Sequence, residues 1–276
     1  MIISADNQSL KTAILLNNLH QPPATFNTLL YIIVKEESTM NVNQLSNRLR
    51  TVAAQLPEGA NFADIGSDHA YLPCYVCLRD VDANAIAGEI NQGPYESAIE
   101  EVERQALTDR IDVRKGNGLE VLRPGEVGQI VLAGMGGPLM TEILREGQNK
   151  LTGVQRIIVQ PNIEARAVRR WFLHHDYTLV HEEIIEESGH IYEVLTADKR
   201  EAGTASEYQI GRRDVQLMMG PYLLEECTEV FKKKWRKELM KKQFVLEQMK
   251  LAKQPDSLKV NQLNTEINWI KEALDQ

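Results

Sequence analysis

From Asn61 onward, short apolar runs of strand length alternate with longer stretches of helical period. Asn61–Gly66, Ala83–Ile90, Arg110–Gly116, Gln129–Met135 and Arg156–Asn162 predict five strands, with helices over Pro94–Leu107, Pro138–Gln148 and Ala165–His174 between them. Such alternation predicts an α/β fold with a doubly wound, mostly parallel sheet, because parallel neighbours need a crossover whose helix covers a face of the sheet. Tyr177–Ile185 and His190–Ala197 follow with only Glu-Glu-Ser-Gly between them. That spacing predicts an antiparallel hairpin closing one edge of the sheet.

After about residue 210 the strand pattern stops. Phe231, Trp235, Leu239, Leu246 and Met249 form one helical stripe, and Leu263, Ile267, Ile270 and Leu274 repeat at heptad spacing. Lys253-Gln-Pro-Asp-Ser257 breaks the two, which predicts an antiparallel helical hairpin of coiled-coil type. At the other end, Leu45, Leu49 and Val52 recur at helical spacing after Met40, whereas residues 1–39 have no clean period. The expected organisation is therefore an extension over 1–39, an α/β domain over 40–210 and a helical hairpin over 211–276. The extension is either an upstream start or an added helix packing on the domain.

Composition narrows the class. With 276 residues, 43% hydrophobic and a net charge of -8, the chain is long enough for one good core and too acidic for indiscriminate nucleic-acid binding. A local basic patch would still serve. The apolar run Thr28–Val34 is far shorter than the roughly 20 residues of a membrane span. Three cysteines without a secretory signal point to a reducing, cytoplasmic setting. Cys74 and Cys77 form a C-x-x-C without a second pair or a histidine cluster, so a structural role is favoured over a redox or zinc site, and no metal is expected.

The chemistry concentrates at predicted strand ends, where ligands of open parallel sheets sit. Asp64-Ile-Gly-Ser-Asp-His-Ala-Tyr-Leu-Pro73 turns at Gly66, and Asp68 stands where a dinucleotide fold has its second glycine. A carboxylate there repels a pyrophosphate but suits the amine and sulfonium of S-adenosylmethionine. Glu89, about 20 residues on, is placed to bind a ribose diol, as in any adenosine cofactor site; the other reading of Asp64 and Glu89 is a pair of exposed strand-end acids. Asn117 before Gly118 is either an adenine contact or a turn residue. Three glycines in Ala133-Gly-Met-Gly-Gly137 mark close backbone approach by a ligand, with Met135 as an apolar contact; a plain loop is the other reading.

With Ala87-Gly-Glu-Ile-Asn-Gln-Gly-Pro94, Gly116-Asn-Gly118 and Gln160-Pro-Asn162, these strings resemble the bacterial tRNA (adenine-N1)-methyltransferases that act at position 22 in the D-arm. The likeness runs from about residue 41 to 276 and leaves residues 1–39 outside, which favours the upstream-start reading. It implies a Rossmann-like class I methyltransferase domain, a C-terminal coiled-coil hairpin and S-adenosylmethionine as cofactor. It carries cofactor binding to Asp64, Gly66, Asp68, Glu89, Asn117, Gly118, Ala133 and Gly134. Asn117 departs from the family's usual Asp; an amide still donates to and accepts from adenine.

Adenine N1 is a neutral nucleophile, so methyl transfer needs positioning more than a strong base. The product ring is cationic, and Asp68 is the first candidate to stabilise it or to hold the methionyl amine. His69 either touches substrate or supports the loop, and Met135 completes the catalytic set. The Asn/Asp-Pro-Pro-aromatic run of amino-methyltransferases is replaced by Ala-Gly-Met-Gly-Gly, which fits attack by a ring nitrogen. For the acceptor, Gln160 and Asn162 are expected to contact the base; a strand-terminating turn is the other reading. Arg166 and Arg169 (with Arg170), and Lys232, Lys233, Lys234 and Arg236 on the tail, are expected to face RNA, with Trp235 as core. A solvated helix face is the alternative for the tail. The partner expected is tRNA, with no membrane and no obligate protein partner. Rival functions are a methyltransferase on another RNA site, a nicotinamide oxidoreductase and an RNA-binding module with a vestigial pocket.

Overall fold

In the computed structural model, which describes residues 42, 44–201, 203, 206–251 and 256–275, the expected strands form one seven-stranded sheet. The extension over 1–39 lies outside the described residues, and Val42–Gln276 is one compact unit. The sheet order is β3-β2-β1-β4-β5-β7-β6. Its parallel strands are β1 (Asn61–Ile65), β2 (Asn84–Glu89), β3 (Ile111–Lys115), β4 (Gln129–Met135) and β5 (Arg156–Pro161). The hairpin strands β6 (Tyr177–Glu187) and β7 (His190–Lys199) are antiparallel, with β7 lying between β5 and β6. The hairpin turn shrinks to Ser188-Gly189, both at positive φ, so the two glutamates before it pair within β6.

The central strands are apolar on both faces because helices cover both. Ile130, Leu132, Ile157 and Val159 join one core, with Met140 and Leu144 of α4 (Gly137–Glu146) and Val168 and Phe172 of α5 (Ala165–His174). Val131 and Ile158, between them in sequence, join the opposite core. There they meet Val52 of α1 (Asn47–Ala53), Leu72, Cys74 and Cys77 of α2 (Tyr71–Arg79), and Ala98 and Val102 of α3 (Gln92–Arg104). The two thiols are free, and burial pushes them up to about 12 and about 11, so they are protonated packing groups.

The tail departs from the two-helix expectation. Among the described residues four helices follow: α6 (Arg213–Met219), α7 (Pro221–Glu226), α8 (Glu229–Lys250) and α9 (Ser257–Leu274). Gly220 at φ 93° separates α6 from α7, and Cys227 at φ 44° separates α7 from α8. Pro221 opens α7 at a position where its missing N–H costs nothing. The long hairpin buries Phe231, Trp235, Ile270 and Ala273 against Met219 and Leu223 of the two short helices and Ile184 of β6. Among the described residues, no helix is long and apolar enough to cross a membrane.

Candidate active site

The carboxyl ends of β1 and β2 carry an acidic crest. Gly66 turns the chain at φ 73°, and its N–H donates to the Gly88 carbonyl at 2.9 Å. Asp68, His69 and Ala70 then run through the left-handed region at φ 43°, 68° and 53°. Three such residues without a glycine cost about 1–2 kcal/mol each, so their surroundings must hold them. The Asp68 N–H donates to the Glu89 carboxylate, His69 stacks on Tyr71 with centroids 5.3 Å apart, and the Ala70 carbonyl accepts the first bond of α2 from Cys74.

Three carboxylates meet here. Asp64 is buried, accepts a hydrogen bond from Ser67 Oγ at 2.7 Å, and is pushed up to about 7, chiefly by burial and further by repulsion from Glu89 and Asp68. Glu89 is 5% exposed and likewise raised, by burial first. Asp68 stays in solvent, its carboxylate 3.4 Å from His69 Nε2.

At the end of β3, Asn117 caps a short 3₁₀ turn over Gly118–Val121, its N–H donating to Glu120 Oε2 at 3.2 Å. The turn reading of Asn-Gly is therefore realised, and the exposed Asn117 side chain remains available on the same crest. Gly118 is at φ 53°, against Ile143 of α4.

The ends of β4 and β5 lock together. Gln160 Oε1 accepts from Gly134 N–H at 3.1 Å and from Arg48 Nη1 at 2.5 Å, while its Nε2 donates to Asn162 Oδ1 at 3.1 Å. Asn162 Nδ2 returns a bond to the Gly134 carbonyl at 2.7 Å. Gln160 is fully buried and its amide is engaged on both sides, so it cannot contact a base as expected from sequence; it fixes the loop that Asn162 exposes. Half-buried Ala133 precedes the turn at Gly134. Met135 reaches across to β1, where a methyl group on Gly66 would stand 3.1 Å from its Cε. The two strand-end loops thus meet at Met135.

Arg48 was not legible as a site residue. It sits on α1, whose first N–H groups are capped by Glu187 from the far end of β6, and its guanidinium lies 5.5 Å from the Tyr192 ring centroid. Only the fold brings it to Gln160, 112 positions away.

The tail and α5 change the expected RNA contacts. Arg169 is completely buried, donating from Nε to Glu182 at 2.6 Å and from Nη2 to Glu193 at 2.8 Å. It cannot face RNA: two acids of the β6–β7 hairpin draw it inward. Lys234 completes this buried cluster on Glu193. Lys233 pairs with Glu186, Arg236 stands 3.8 Å from Glu229, and Arg166 bonds Glu266 at 2.9 Å. Lys232 and Lys237 form no ion pair among the described residues. Trp235 is buried core.

Whether this crest fits a nucleotide pyrophosphate or a cationic donor is decided by its charge. Glu89 and Asp68 raise the ionisation cost of Asp64, Asp68 raises that of Glu89, and Arg48 is the cation that acts on Asp64 in the opposite sense. A positively charged ligand relieves that repulsion and a pyrophosphate aggravates it. With a 3-2-1-4-5-7-6 sheet beneath it, this is a Rossmann-type methyltransferase site, suited to S-adenosylmethionine.

A family model described as tRNA (adenine(22)-N(1))-methyltransferase matches residues 62–272. A tRNA (adenine(22)-N(1))-methyltransferase from Bacillus subtilis is 44% identical over 238 residues, which cover 86% of this chain and 99% of that protein. The crystal structure of the B. subtilis m1A22 tRNA methyltransferase TrmK matches with a TM-score of 0.77 at 42% identity, over 84% of this chain and 99% of that one. Streptococcus pneumoniae Sp1610 in complex with S-adenosyl-L-methionine matches with a TM-score of 0.72 at 38% identity, over 84% of this chain and all of that one. The chain belongs to the tRNA (adenine(22)-N(1))-methyltransferase family.

Proposed function

We infer that this chain transfers a methyl group from S-adenosylmethionine to N1 of adenine 22 of tRNA, with the donor held over β1–β3 and the base over the β4–β5 loops. The observation that carries this division is Met135, which bridges the Gly66 turn and the Gly134–Asn162 lock. S-adenosylmethionine, when bound, supplies a methyl group on a cationic sulfur. Asp64 and Glu89 would hold its amine and ribose, and Asn117 and Gly118 its adenine. Adenine N1 forms the new N–C bond with its own lone pair as the C–S bond breaks and sulfur keeps the electrons, so no base is needed to begin. Asp68 lies within the same crest and balances the positive charge that develops on the ring. Asn162, presented by Gln160, lines the acceptor side. The cytoplasm, where tRNA and reduced thiols coexist, is the compartment this function assigns.

The test is methyl incorporation from labelled S-adenosylmethionine into an unmodified tRNA transcript and into the same transcript with guanine at position 22. Incorporation is expected only in the first; equal labelling of both contradicts the assignment.

Asp64 makes cofactor binding sensitive to pH. Its folded value of about 7 lies above the ordinary 3.8, so the folded chain holds this proton more tightly than the unfolded chain. The group therefore favours folding at low pH, and its contribution becomes unfavourable as pH rises from 3.8 through 7. A cationic ligand needs the ionised form, so affinity should fall by up to about tenfold per pH unit below 7. Calorimetry near pH 7 in two buffers of different ionisation enthalpy should give different binding heats, through proton release, and Asp64→Asn should remove the difference. Equal heats for the unaltered protein would contradict proton release from Asp64 on binding.

RNA affinity should depend on Lys232 and Lys237, which form no ion pair among the described residues. Reversing Lys232 and Lys237 to glutamate should weaken tRNA binding and lower its salt slope by roughly one to two units. Cofactor affinity should not change. An unaltered salt slope would remove Lys232 and Lys237 from the RNA surface.

A further inference from the structure

Two large aliphatic side chains stand in water at the reaction edge of the sheet. Ile163, next to Asn162, is 66% exposed, and Leu139, in the first turn of α4, is 49% exposed. Neither is on a loose segment. The Gly137 N–H donates to the Ile163 carbonyl at 2.9 Å, and the Asn162 N–H donates to the Met135 carbonyl at 2.9 Å. Glu164 beyond it is held at φ 57°. Gly137 packs so closely beneath that a methyl group there would run into the Glu164 carbonyl. The Ile163 side chain itself lies over Gly136, where a methyl group would meet its Cγ1 at 3.4 Å. The fold thus builds a stiff platform and leaves an isoleucine projecting from it.

Its place gives it a use. On one side is the Gly134–Met135 turn, where the acceptor nitrogen must arrive. On the other opens a groove of about 710 Å³, lined by Ile163, Lys237 and the ion pairs of Arg166 with Glu266 and Lys241 with Glu238 on the way to the helical hairpin. N1 lies on the Watson–Crick edge of adenine, so a base in a paired, stacked arm reaches Met135 only by leaving its stack. A base that leaves exposes the faces of its neighbours, and proteins that distort nucleic acids commonly fill such gaps with an aliphatic wedge.

We propose that Ile163, assisted by Leu139, is the wedge that enters the stack of the tRNA arm and takes the place vacated by adenine 22, a positioning role for RNA lying in the groove. This rests on the adenine-N1 function above. Ile163 exchanges its water for base faces only when the adenine is out, which biases the bound tRNA toward the reactive arrangement.

The test uses the full chain and two tRNA transcripts, one natural and one with an abasic residue facing adenine 22. Ile163→Ser is expected to lower kcat/KM on the natural transcript by about 10- to 100-fold, the cost of unstacking the adenine no longer being met. On the abasic transcript, where extrusion is easy, the variant should come within about threefold of the unaltered protein. With 2-aminopurine at position 22, fluorescence should rise on binding the unaltered protein and rise less with the variant. Leu139→Ser should repeat the pattern more weakly, and unchanged S-adenosylmethionine affinity in both variants checks folding. An equal loss on both transcripts, or no loss on either, overturns the wedge. Failure of the unaltered protein to methylate either transcript would instead overturn the function on which it rests.

Discussion

Asp68→Asn is expected to lower kcat by about 100- to 1,000-fold, the scale of removing one preorganised charge-stabilising group, while S-adenosylmethionine affinity changes little. Asparagine has the same shape and accepts the left-handed backbone that Asp68 adopts at φ 43°. The substitution therefore removes charge without disturbing the turn. Cofactor affinity should survive because Asp64 and Glu89, the two buried acids, stay in place, whereas the exposed Asp68 carboxylate is the one proposed to balance charge on the acceptor base. Single-turnover methyl transfer at saturating cofactor, together with calorimetric binding, separates the two roles. A large rise in the cofactor Kd with little change in kcat would assign Asp68 to the methionyl amine instead. His69 provides the contrast. Its ring is stacked on Tyr71 beside the same carboxylate. If it only supports the loop, His69→Gln should cost far less than Asp68→Asn.

Arg169→Met is expected to destabilise the protein by about 3–5 kcal/mol, the cost of leaving a buried ion pair without one partner. At about 2–4 °C per kcal/mol for a chain of this size, the melting temperature should fall by roughly 6–20 °C. Arg169 is wholly buried between Glu182 and Glu193, and Lys234 from α8 joins them. The pocket is closed by Gly220, where a methyl group would stand 2.6 Å from Glu182 Oε2. Tyr222 N–H also donates to Glu182 at 3.1 Å. One arginine therefore ties α5 and the β6–β7 hairpin to the tail. Thermal unfolding followed by circular dichroism measures the effect. A fall of less than about 2 °C would mean that water reaches the orphaned acids and that the cluster does not anchor the tail.

The sheet was legible because its signal is local. Ile130-Val-Leu and Ile157-Ile-Val are apolar at every position, which is how strands covered on both faces read. Ser188-Gly189 between alternating strands marked the hairpin in the same way. Asp64, Glu89 and the glycines near Met135 stood out because strand ends are short and chemically distinctive. Arg169 did not, because its fate depends on Glu182 and Glu193, 13 and 24 residues later on another element. In sequence it is one of three arginines on a helix, and no spacing marks which of them is buried. Gly220-Pro221 did carry a breaker signal, which the hydrophobic stripe of the tail masked. Arg48 had no local signal at all: α1 precedes the glycine turn, and only sheet closure places it beside Gln160. The run Asp68–Ala70 was equally silent, since three left-handed residues would ordinarily call for glycine.

The most direct measurement is mass spectrometric mapping of the methylated nucleoside in unmodified tRNA treated with the purified protein and S-adenosylmethionine. Membership of the tRNA (adenine(22)-N(1))-methyltransferase family, with a ring nitrogen as nucleophile at the carboxylate crest, predicts 1-methyladenosine at position 22. N6-methyladenosine, or a methyl group at any other position, would contradict it.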